Sequence, residues 1–101
     1  MGALDLYVTR EMDVSINHTE LKCLLGFASP SSAPVLFRAI DCIDDDITIP
    51  TADLPAFDAE LAAIIVKCDE HPTILRIVPQ LRAVIQCARE TGKLLHACGP
   101  C

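Results

Sequence analysis

The spacing of apolar residues along the chain predicts strands near both ends and helices between them. Leu4-Asp5-Leu6-Tyr7-Val8-Thr9 is a β-rich run and predicts a first strand. Met12 to Asn17 fits either a short second strand or a loop. From Thr19 to Ala28, Leu21, Leu24, Leu25 and Ala28 recur at helical spacing, with Thr19 as the candidate N-cap. Ser29-Pro30-Ser31-Ser32-Ala33-Pro34 has the composition of a loop. Val35 to Ile43 is an apolar, β-branched run broken by Arg38 and Asp41, and predicts a buried strand. Asp44-Asp45-Asp46 is expected to turn the chain into an extended Ile47-Thr48-Ile49 that ends at Pro50.

Two stronger helical patterns follow. Leu54, Phe57, Leu61, Ile64, Ile65 and Cys68 fall on one face of a helix, with Asp53 as its cap and Pro55 in its first turn. The other sides carry Ala56, Ala59, Ala62, Ala63 and Val66, so this helix is expected to be sandwiched in the fold or to form an interface. Ile74, Ile77, Val78, Leu81, Val84, Ile85 and Ala88 line one face of the next helix, opposite Arg76, Gln80, Arg82, Gln86, Arg89 and Glu90. Pro79 predicts a start or a kink nearby, and Gly92 an end. Lys93 to Cys98 reads as a last strand. The expected fold is α+β: a small, mainly antiparallel sheet with two or three helices packed on one face. It forms a single domain over residues 1–101, with a short cysteine-containing tail at 99–101.

Composition narrows the function. Of 101 residues, 51% are hydrophobic, enough for a core and too many for a disordered chain. No apolar run reaches the roughly 18 residues of a membrane-spanning helix. The opening Met1-Gly2-Ala3-Leu4-Asp5-Leu6 has no basic region and no long apolar run, so a cytoplasmic location is expected. The net charge is −6. Most of the acids fall between residues 41 and 70, where Lys67 is the only base. Such a stretch repels phosphates, so nucleic acid is not an expected ligand, and a basic protein is.

Six cysteines invite a disulfide framework, yet Cys23, Cys68 and Cys87 lie in helical segments. Together with Cys42 they read as small hydrophobes. Cys98-Gly99-Pro100-Cys101 resembles the thioredoxin tetrapeptide, which would make Cys98 the nucleophile and Cys101 the resolving thiol. That role needs a helix starting at the motif to acidify the first thiol, and none is expected here. His96, Cys98 and Cys101 are instead three candidate ligands for a metal such as zinc, one short of a structural set. Asp44-Asp45-Asp46 lacks the glycine and distal glutamate of an EF-hand loop. No phosphate loop, nucleophile elbow or zinc-helix motif is present, and no cofactor is expected.

Ile49-Pro50 followed by Leu54-Pro55 leads into two Leu/Ala-rich helices, and Thr91-Gly92-Lys93-Leu94-Leu95 leads to a closing strand. In this segment, and in its size and acidity, the chain resembles the small acidic immunity proteins of interbacterial toxin systems. The resemblance implies a non-catalytic, bacterial protein whose partner is a basic cognate toxin domain. The residues expected to meet it are Asp41, Asp44, Asp45, Asp46, Asp53 and Asp58. Two alternatives stand beside it: a thiol redox or metal-binding protein using His96, Cys98 and Cys101, and a domain that self-associates through helix 54–68.

Overall fold

The computed structural model describes residues 4–40, 46–68 and 70–98, the side chain of Asp46 excepted. The chain forms an α+β domain in which helices cover one side of a four-stranded sheet. Strand β1 (Leu4–Val8) pairs antiparallel with β2 (Met12–Ile16), so the segment left open between strand and loop is a strand. Helices α1 (His18–Leu25) and α2 (Pro34–Ile40) follow. Then come β3 (Asp46–Ile49), one 3-10 turn (Thr51–Asp53), α3 (Leu54–Lys67), α4 (Pro72–Thr91) and β4 (Leu95–Cys98). The strand order is β2-β1-β4-β3, and every neighbouring pair is antiparallel.

Burial assigns the two sides of the sheet. Leu4, Leu6, Val8, Ile16, Ile49, Leu95 and Ala97 are all buried against the helices. Because side chains alternate along a strand, Asp5, Tyr7, His96 and Cys98 take the other side. The core is closed above the sheet by Leu24 of α1, Leu36 of α2, Phe57 and Leu61 of α3, and the Ile74–Ala88 face of α4.

Local signals explain the start of α1 and the end of α4. Asn17, not Thr19, caps α1: its Oδ1 accepts the Glu20 N–H at 2.8 Å, and Glu20 Oε1 accepts the Asn17 N–H at 2.9 Å. This reciprocal pair satisfies two amides that the helix leaves unmatched. Helix α4 runs through Pro79, which withholds its bond from the Leu75 carbonyl; both residues lie on the exposed side. It ends where Gly92 adopts a left-handed φ of 70° and donates its N–H to Ala88 at 3.0 Å.

The main correction concerns residues 35–43. Val35–Ile40 is helix rather than strand, and Cys42 and Ile43 lie outside the described residues. Ala33 stands before α2 and offers no capping side chain. The carboxylate of Glu60, on α3, takes that place: its Oε1 accepts the Leu36 N–H at 3.0 Å and its Oε2 the Val35 N–H at 3.2 Å. A carboxylate also matches the positive end of the helix dipole. Val35, Leu36 and Ala39 then bury against the core. Asp53 precedes α3 but makes no cap bond, and its carboxylate turns to Arg38 instead.

Glu60 is thus a long-range cap joining two helices. Glu60→Gln should cost about 1–2 kcal/mol, and Glu60→Ala about 3, because two buried amides lose their acceptor. Urea unfolding of the three proteins measures this, and equal midpoints would refute the capping role.

Candidate functional site

The bare side of the sheet forms the candidate site. Its residues come from strand alternation and register alone. Tyr7 stands opposite Asp13 on one side and His96 on the other, and His96 stands opposite Thr48. This gives one cross-strand row, Asp13–Tyr7–His96–Thr48. The next row, Ser15–Asp5–Cys98–Asp46, is set by the same registers. The Tyr7 and His96 rings stack at 5.0 Å between centroids, with planes 19° apart. Thr48 Oγ1 lies 3.5 Å from His96 Nδ1.

Beside this stack, over β1 and β2, lies an open depression of about 780 Å³. Asp5, Tyr7, Asp13, Ser15 and Cys98 line it, with Arg10 at the turn end, and Val8, Met12 and Val14 of the same two strands line it as well. Arg10 has a φ of 67°, a left-handed conformation that costs a non-glycine residue about 1 kcal/mol. The tight hairpin imposes it: Glu11 donates its N–H to the Val8 carbonyl at 2.9 Å. Glu11 in turn pairs with Lys93 at 2.5 Å. Asp5 and Asp13 have no counter-ion among the described residues.

The acids expected from the sequence fall partly outside and partly within the described residues. Asp41, Asp44 and Asp45 lie outside the described residues, and Asp46 opens β3. Asp53 pairs with Arg38 at 2.6 Å. Asp58 receives two bonds from Arg82, from Nε at 2.9 Å and from Nη2 at 3.2 Å. Those bonds are the main reason its carboxyl titrates below the ordinary 3.8; burial opposes them, and the charges of Arg82 and Arg89 help. The same contact holds the Arg82 guanidinium above its ordinary range. Asp53 and Asp58 therefore serve arginines of their own chain.

The thiols and histidines also separate. His96 and Cys98 project from β4 onto the open side, while Cys101 lies outside the described residues. Among the described residues no three His, Cys, Asp or Glu side chains are grouped to hold a metal ion. Cys68 is buried and its thiol donates to the Ile64 carbonyl at 2.7 Å. His71 precedes α4 and packs edge-on against Phe27 at 5.7 Å.

On α3, Leu54, Phe57, Glu60, Leu61 and Ile64 are buried. The outer surface of that helix is Pro55, Ala56, Ala59, Ala63 and Val66, the last 77% exposed. No described helix is long and apolar enough to cross a membrane.

Asp5, Tyr7, Asp13 and Thr48 are absent from the sequence-based candidates. The signal that marks the first two is the alternation in Leu4-Asp5-Leu6-Tyr7-Val8, whose polar positions must share a face. Asp13 and Thr48 join them only through strand pairing. No family model, no curated protein and no solved structure gives a significant match to the chain.

The ion pairs make stability acid-sensitive. The Glu20 carboxyl is lowered from its ordinary 4.5, chiefly by the Asn17 N–H, against burial and with help from Arg76. Glu20 and Asp58 both favour the folded state in ionised form. Their contribution is present above their ordinary values and fades as pH falls through the lowered ones. The urea midpoint should therefore drop between about pH 5 and pH 3, and drop less in Arg82→Ala. A flat midpoint across that range contradicts the assignment.

Proposed function

We propose that the chain is a non-catalytic protein-binding module, an inhibitor of the immunity type that neutralises a basic toxin domain. The observation that carries this reading is the uncovered side of the sheet. Helices cover one face and leave the other open, with Asp5 and Asp13 on it and unneutralised among the described residues. A four-stranded sheet is a rigid platform, so residues on it meet a partner with little loss of conformational freedom.

The overall charge of −6 supports the same partner chemistry. Complementary charge accelerates encounter with a basic protein and disfavours acidic ones. Of the acids first expected, Asp53 and Asp58 are engaged within the chain, and Asp41, Asp44 and Asp45 lie outside the described residues. The open face adds Asp5 and Asp13 to the proposed contact surface.

Affinity capture from the native host at low salt tests the reading. The expected result is a stoichiometric basic protein, released by about 0.5 M salt, where charge screening is nearly complete. The double variant Asp5→Asn, Asp13→Asn should lose it, and the captured protein should be less toxic in cells that also make the wild-type chain. The reading fails if no stoichiometric partner is recovered, or if capture is indifferent to both salt and the double variant.

A further inference from the structure

We infer that the depression over β1 and β2 is a pocket for one arginine side chain of the partner protein. The inference rests on the protein-binding reading above and specifies its contact chemistry.

The geometry selects the group. Tyr7 lines the depression and His96 does not, although the two rings stack. Asp13 stands across from Tyr7 in register, and Asp5 is two residues along the same strand with Ser15 opposite. An aromatic ring thus shares the depression with two carboxylates and a hydroxyl, which strand alternation puts on one side of the β1–β2 pair.

A planar cation fits this arrangement best. Guanidinium stacks on an aromatic ring while its five N–H donors reach carboxylates at its edge. A lysine ammonium is a compact, strongly hydrated charge that gains less from the ring. Anions are repelled by Asp5 and Asp13. Arg10, at the turn end, repels a second cation there and leaves the space between Asp5 and Asp13 as the subsite. Glu11 is occupied by Lys93 and adds no free charge.

An amide-resolved NMR titration with two short blocked peptides, Gly-Arg-Gly and Gly-Lys-Gly, tests the pocket on the wild-type chain. The arginine peptide should shift the amides of Asp5, Tyr7, Asp13 and Ser15. Its dissociation constant should be lower than that of the lysine peptide by about five-fold or more. Tyr7→Thr, which keeps a strand-forming residue, should bring the two peptides level. Asp13→Asn should weaken both.

Equal affinities for the two peptides, or shifts that map to α3 or α4, overturn the inference without any variant having to fold. The two proposals fail separately. A host partner lost in the Asp5, Asp13 double variant but no arginine preference removes the pocket and keeps the binding module. Arginine preference with no host partner removes the binding module and keeps the pocket.

Discussion

A single buried carboxylate organises the helical layer. Glu60, only 9% exposed, reaches from α3 to the first amides of α2 and substitutes for the cap that Ala33 cannot provide. A helix of seven residues is too short to be stable alone. Its formation needs that acceptor and the burial of Val35, Leu36 and Ala39 together. Without α2 the sheet would lose cover over β4, which α2 contacts. The bond thus links helix formation, helix packing and closure of the core in one contact.

Closure on one side leaves the other side free. The core already takes most apolar residues of the four strands, so the opposite row needs no apolar partner to keep the fold stable. That row is polar, with Asp5, Asp13, Ser15 and Thr48 around the Tyr7–His96 stack. One-sided antiparallel sheets commonly carry such a polar outer face. Two features separate this one from plain solvent cover: a depression of about 780 Å³ and two carboxylates without counter-ions among the described residues. The proposed basic partner would meet both.

The acid-rich middle of the chain shows how charge counting differs from charge placement. Asp53 and Asp58 contribute to the sequence imbalance, yet each faces an arginine brought from another segment. Arg38 comes from α2 and Arg82 from α4, so these pairs join elements 15 and 24 residues apart in sequence. Such pairing is invisible to composition, because it depends on which helix faces lie together. Asp5 and Asp13 on the open face, without a counter-ion among the described residues, sit by contrast in a part of the chain of almost neutral balance.

Periodicity alone was enough to identify α3 and α4 and their buried faces, because a long amphipathic pattern has few ways to hide its apolar side; β1 and β4 were legible as strands without a stated buried face. Cys68 on the apolar side of α3, and Gly92 as the end of α4, follow from the same local chemistry. The identity of α2 was not local. Val35-Leu36-Phe37-Arg38-Ala39-Ile40 suits strand or helix on burial grounds, and Glu60, 24 residues away, resolves it. The candidate site was likewise decided by register: alternation puts Asp5 beside Tyr7, but only strand pairing brings Asp13, His96 and Thr48 to them. Local sequence sets which side of an element seeks the core. Contacts between distant elements decide which polar groups are consumed inside the fold and which are left facing outward.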